Sequence, residues 1–180
     1  YYFVYSSTPM HELCYATAKN PRDKFVYRGV IVSNTDVGIG TYKPADLPVC
    51  YGANNHGSIV EINNDWYIFY HRQTNRSSYA RQACAEKLRM KPDGTILQSE
   101  VTSCGLNPGP LRGKGKYEAR IACNLWADGH STGRVDGSAP KKRLKDHPYF
   151  TQSGKDRNDN PDQFIANMSE GATAGFKYFI

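Results

Sequence analysis

The sequence predicts an all-β chain. Short runs rich in Val, Ile, Tyr, Phe and Trp recur along it, turn signals such as "KNPRD" and "KPDG" separate them, and no segment shows a convincing helical period. Taken in order, strands are expected at Tyr1–Ser7, Glu12–Ala18 and Phe25–Val32. A hairpin of Ser58–Ile62 and Trp66–Arg72 follows, then Ser78–Met90 and a short Thr95–Val101. The hairpin connection is expected to take four to five residues built from Asn63, Asn64 and Asp65, types that tolerate left-handed backbone angles and bond their own main chain. Since that turn closes one end, His56, His71 and Arg72 are expected together at the other. Polar residues gathered at one end of a hydrophobic hairpin suit a site on a rigid scaffold, and also suit strand ends that simply meet solvent.

Strands of this length and spacing fit a sandwich or a propeller, in which four-stranded blades surround a central funnel. The propeller accounts better for His56: an inner strand starting beside the axis puts its first side chain where all blades converge.

With 180 residues the chain can bury the core of one domain and leaves too little for a complete second. The net charge of +6 comes from 23 Lys and Arg against 17 Asp and Glu. Much of the excess lies in Leu111–Arg120 and Pro140–Lys145, loop segments without a basic helix face or a nucleic-acid motif, so nucleic acid is not an expected partner. No run approaches the roughly 20 apolar residues that cross a bilayer, so no membrane partner is expected either. The opening "YYFVYSS" has no methionine, charged leader or small-residue cleavage site. The chain is expected to begin inside one strand, with something missing upstream, and to stop inside another at "ATAGFKYF". Five cysteines (Cys14, Cys50, Cys84, Cys104 and Cys123) show no CxxC spacing, which argues against zinc. A Cys104–Cys123 disulfide is open, with free buried thiols the simpler reading. Asn75-Arg76-Ser77 and Asn167-Met168-Ser169 fit the glycosylation pattern, which by itself leaves the cellular location undecided.

The order "YYFVYSS", "ELCYATAKNPRDKFVYRGVIVSN", "NNHGSIVEINNDWYIFYHRQTN" and "SYARQACAEKLRMKPDGTI" resembles the later blades of glycoside hydrolase family 43. These are five-bladed β-propeller enzymes that include α-L-arabinofuranosidases, β-xylosidases and arabinanases. The resemblance runs from Tyr1 to about Trp126. It divides the chain into a partial propeller at residues 1–127, a linker at 128–145 and a segment at 146–180 similar to the start of a β-sandwich carbohydrate-binding module.

The resemblance implies inverting hydrolysis of arabinofuranosyl or xylosyl linkages in plant hemicellulose, with arabinoxylan- or arabinan-type saccharides as partners. One carboxylate activates water, a second protonates the leaving oxygen and a third orients the acid, the inverting pair standing roughly 6.5–9.5 Å apart. In the family pattern all three fall upstream of Tyr1, so this chain is expected to lack them and to need the missing blades. The alternative is a carbohydrate-binding remnant without catalysis. Of the acids present, Glu61, Asp65 and Glu86 read as solvated surface carboxylates, and Asp36 as a loop residue able to reach a bound sugar. His56 matches the family histidine beneath the sugar pocket, beside a calcium ion held largely through water; such an ion prefers oxygen ligands. Arg72, Asn55 and Asp36 are the candidate substrate-binding residues, with Asn54 and Arg81 weaker; Trp66 and Tyr67 read as core.

Overall fold

The computed structural model describes residues 1–8, 12–33, 35–38, 55–75, 77–127, 130–131, 147–152 and 163–180. Asn54, Cys50 and nearly all of the expected linker lie outside the described residues.

Two antiparallel meanders form the first half. In one, β1 (Tyr2–Ser6), β2 (Leu13–Thr17) and β3 (Val26–Val32) lie side by side. In the other, β4 (Ser58–Ile62), β5 (Asp65–Thr74) and β6 (Ser77–Lys87) do the same. Among the described residues each has three strands, against the four of a complete blade. The expected strands are present: the first three are slightly trimmed, β4 keeps its expected bounds, β5 runs beyond Trp66–Arg72 at both ends, and Ser78–Met90 divides into β6 and β7 (Arg89–Met90). Thr95–Val101 shrinks most, to β8 (Ile96–Leu97) paired with β7.

The hairpin turn is tighter than the sequence reading. Ile62 pairs directly with Asp65, leaving a two-residue turn in which Asn63 and Asn64 have φ of 52° and 65°. Two successive left-handed residues give the turn whose twist matches the flanking strands, and Asn tolerates both positions. Asp65 thus opens β5, and its carboxylate meets Lys87 Nζ at 2.7 Å.

The meanders share one core. Leu13, Tyr15, Ile31 and Val32 from the first meet Ile68 and Tyr70 from the second, with Leu88, Ile96, Val101 and Cys123 closing the cluster. Period-two alternation selects these residues: Ile68 and Tyr70 share a face of β5, and their partners across β6, Glu86 and Cys84, point the same way.

The chain then passes through a 3-10 turn at Ala119–Ile121 into β9 (Asn124–Ala127) and β10 (His130–Ser131). The tail supplies β11 (Tyr149–Gln152), β12 (Gln163–Ala166) and β13 (Ala172–Gly175). β13 hydrogen-bonds to β9, giving a sheet ordered β10-β9-β13, so residues 124–127 pair with the tail. A second small core of Ala122, Leu125 and Phe150 lies there, packed by Ile165 and Ala174. The run "ATAGFKYF" is strand only to Gly175; beyond it Phe179 bridges in parallel to Leu111. Cys14, Cys84, Cys104 and Cys123 are free thiols, so the open Cys104–Cys123 disulfide is not formed. No helix among the described residues is long and apolar enough to cross a membrane.

Candidate functional site at the open end of the hairpin

The register brings His56 opposite His71, away from the Asn63–Asn64 turn, as the sequence suggested. The His56 backbone N–H donates to His71 Nε2 at 3.2 Å, and the two rings are 5.9 Å apart and tilted by 36°. Gly57 makes the approach possible: a Cβ there would collide with the Phe69 carbonyl oxygen and come within 2.8 Å of Leu13 Cδ1.

His56 is exposed, whereas Asn55 beside it is fully buried. Asn55 Oδ1 accepts the His71 backbone N–H at 3.4 Å, and its Nδ2 has no hydrogen-bond partner among the described residues. The same is true of His71 Nδ1 and of both side-chain polar atoms of Gln73. With Nε2 accepting, neutral His71 carries its proton on Nδ1, a buried donor without an acceptor. Burial first, then the charges of Arg81 and His56, push the His71 pKa down to about 4. Buried polar groups are normally paired, so these atoms keep hydrogen-bonding capacity unmet among the described residues, as do Ser6, Thr35, Thr74 and Asn124 elsewhere.

Sequence reasoning placed His71 at this end and selected Arg72 for the sugar. The two are consecutive on a strand and face opposite ways. Arg72 points inward and is 6% exposed. Its Nε donates to Gln82 Oε1 at 2.9 Å, one terminal nitrogen to the Ala122 carbonyl at 2.6 Å, the other to the Arg120 carbonyl, and the guanidinium lies 3.5 Å over the Phe150 ring. All three of its nitrogens are used within the fold, tying the hairpin to β11 and the 3-10 turn. Gln73, on the face of His71, was missed; the spacing Phe69, His71, Gln73 is the signal that finds it.

Two carboxylates are buried, Glu86 where the sequence suggested solvent and Asp36 where it suggested a loop able to reach a sugar. Asp36, with φ of 57° and 1% exposure, accepts the Val101 backbone N–H at 2.9 Å and pairs with Lys177 Nζ, which also reaches Glu100 at 2.9 Å. Glu86 accepts from the Thr102 backbone N–H at 2.8 Å, the Thr102 hydroxyl at 2.6 Å and the Tyr70 hydroxyl at 3.3 Å. Desolvation outweighs those bonds and pushes its pKa up to about 7. A carboxyl that shares protons near neutrality suits acid catalysis, but Glu86 is 4% exposed and enclosed by its donors, which makes it structural here. Glu61 is exposed as expected.

Among the described residues no group of three or more His, Cys, Asp or Glu could hold a metal ion. Around His56 they offer a second imidazole and one amide oxygen, which does not fit a calcium cage of carboxylate and carbonyl oxygens.

No family model matches the chain. It is 55% identical over 180 residues to a xylosidase/arabinosidase of Thermoclostridium stercorarium, a match covering 99% of this chain and 37% of that protein. A xylosidase/arabinosidase of Bacteroides ovatus is 34% identical over 102 residues, 56% of this chain and 27% of its own. A solved family 43 β-xylosidase/α-arabinofuranosidase from a compost microbial metagenome, a calcium-free complex with xylotriose, is 35% identical with a TM-score of 0.42, covering 55% of this chain and 26% of that one. The chain thus spans little more than a third of the first relative and about a quarter of the other two.

Proposed function

We propose that this chain is the later-blade part of an inverting hydrolase of glycoside hydrolase family 43, acting on arabinofuranosyl or xylosyl units of hemicellulose. The single observation that carries this is the 55% identity to a xylosidase/arabinosidase over 99% of the chain. In this reading the base, the acid and the orienting carboxylate come from the rest of a longer polypeptide, and this chain positions and does not react.

The hairpin end supplies polar groups toward the sugar: Asn55, His71 and Gln73 carry buried atoms that a hydroxyl or water could pair, and His56 is exposed beside them. His71, neutral above a pH of about 4, offers a donor without adding charge beside a general acid. In this reading a calcium ion, if bound near His56, would be held largely by water and not by a cage of this chain's described residues. Arg72 and Asp36, whose polar atoms are engaged inside the fold, hold the scaffold on which the pocket stands. Residues 1–127 are read as propeller, 128–145 as linker and 146–180 as the start of a carbohydrate-binding sandwich that borrows β9.

The test assays the longest polypeptide carrying this chain on 4-nitrophenyl β-D-xylopyranoside and α-L-arabinofuranoside, with proton NMR of the first anomer released from xylotriose. Hydrolysis with inversion is expected from that polypeptide and none from the 180 residues alone. Retention of configuration, or no release by the long form, overturns the reading; sugar binding without release by the long form would leave the carbohydrate-binding alternative.

A further inference from the structure

A cavity of about 310 Å³ lies at the opposite end of the first meander, lined by Tyr1, Tyr2, Tyr15, Thr17, Arg28 and the Asp93-Gly94-Thr95 turn between β7 and β8. Gly57, next to His56, approaches β2 at Leu13, whereas the cavity sits at Thr17. At about 3.3 Å per residue the two places are roughly 13 Å apart along the strand.

Its floor is rigid. Tyr2 and Tyr15 stack at 6.2 Å, and both hydroxyls are tied: Tyr2 donates to the Gly94 carbonyl at 2.6 Å, and Tyr15 accepts the Ile96 backbone N–H at 3.0 Å. Gly94, with φ of 83°, cannot be replaced without a Cβ only 2.5 Å from the Tyr2 hydroxyl. Arg28 Nε is fixed by Thr17 Oγ1 at 2.8 Å, which sets the guanidinium plane and leaves its two terminal nitrogens directed elsewhere. Across the turn, Asp93 Oδ1 accepts the Thr95 N–H at 2.9 Å. Tyr1, 65% exposed, forms the rim.

We propose that this cavity is a second saccharide site, binding a neutral pentose oligosaccharide outside the hydrolytic pocket. The rings of Tyr1 and Tyr2, 65% and 41% exposed, can meet the C–H faces of a sugar ring, with the buried Tyr15 stacked behind Tyr2, and a planar fork with a carboxylate matches vicinal hydroxyls. One arginine and one aspartate cancel in charge, which selects against phosphates and uronates. Preformed rings lose little entropy on binding, and the volume, at the lower end for ligand pockets, suits a ring and part of its neighbour. Such a site holds the polymer while the hairpin end addresses the cleaved unit. The ligand class rests on the function proposed above.

The experiment uses the longest polypeptide carrying this chain, run on native gels containing soluble arabinoxylan and titrated with xylohexaose. Tyr1→Ala with Arg28→Ala should abolish most of the gel retardation and weaken xylohexaose binding at least tenfold, with kcat/KM on the 4-nitrophenyl substrates within twofold of the parent. Asp93→Asn, which keeps the turn acceptor, should weaken binding several-fold and guards against a folding defect in the double variant. Unchanged retardation in both variants, or a parallel loss of small-substrate hydrolysis, overturns the proposal. Retardation that depends on Arg28 in a polypeptide with no hydrolytic activity would sink the hydrolase reading and leave this site standing.

Discussion

Replacing Arg72 by Lys separates a structural arginine from a sugar-binding one. Lys keeps the charge and much of the length but loses the planar fork. Arg72 makes three side-chain hydrogen bonds, to Gln82 and to the Ala122 and Arg120 carbonyls. An ammonium above Phe150 can retain one carbonyl. The Arg120 carbonyl keeps a second donor in Gln82 Nε2 at 3.3 Å, so the Ala122 carbonyl and Gln82 Oε1 are exposed to loss. Two hydrogen bonds to a charged group, at roughly 1.5 kcal/mol each, give a cost of about 3 kcal/mol. Urea unfolding of the longest polypeptide should show this as a lower midpoint for the transition that includes the tail, with KM for xylotriose nearly unchanged. A stability within about 0.5 kcal/mol of the parent, coupled to a large rise in KM, would refute the buried-staple account and return Arg72 to the sugar.

Glu86→Gln tests the buried carboxyl. Its pKa is raised from 4.5 to about 7, so the folded state binds more protons than the unfolded one between those values. Stability should fall across that window as pH rises, by up to about 3 kcal/mol at roughly 1.4 kcal/mol per pH unit. In the Gln variant the fall should shrink, as read from urea midpoints at pH 5 and pH 8. His71 runs the other way: with its pKa lowered from 6.5 to about 4, the folded state binds fewer protons there, so stability should be lost as pH drops from 6.5 toward 4. A His71→Gln variant should flatten that acid limb, and NMR titration should find the ring neutral at pH 5.5. Gly57→Ala should cost at least about 2 kcal/mol, because the new methyl meets the Phe69 carbonyl and Leu13; a thermal midpoint close to that of the parent would contradict the close approach.

The strands were legible because alternation and β-branched or aromatic runs are local. Asn63 and Asn64 announced a left-handed turn, although its two-residue length depended on Asp65 pairing with Ile62. Glu86 shows what local reading loses. "CAEK" looks like a polar strand middle, yet register sets Glu86 opposite Ile68 on the buried face, and its donors come from Tyr70 and Thr102, each 16 positions away. The partners of Arg72 lie over a longer reach still, Ala122 being 50 positions on. Asp36 needed Lys177, 141 positions away. The opposition of His71 and Arg72, by contrast, was available in the sequence, since adjacent residues on a strand cannot share a face.

The hairpin therefore has two faces with different work, and Gln73→Leu distinguishes them. On the inner face every polar atom of Arg72 and Glu86 has a partner, and removing one should cost stability. On the outer face both polar atoms of Gln73 are buried without a partner among the described residues. An unmet buried polar group costs about 1–3 kcal/mol, whereas an apolar group of similar shape does not. Leu should then leave the chain as stable or more stable by about 1 kcal/mol, and impair xylotriose hydrolysis by the longest polypeptide through KM. A destabilisation of about 1 kcal/mol or more would mean that the remaining polypeptide already satisfies Gln73, moving the sugar-facing role to Asn55 and His71. Gain in stability without loss of hydrolysis would take Gln73 out of the site altogether.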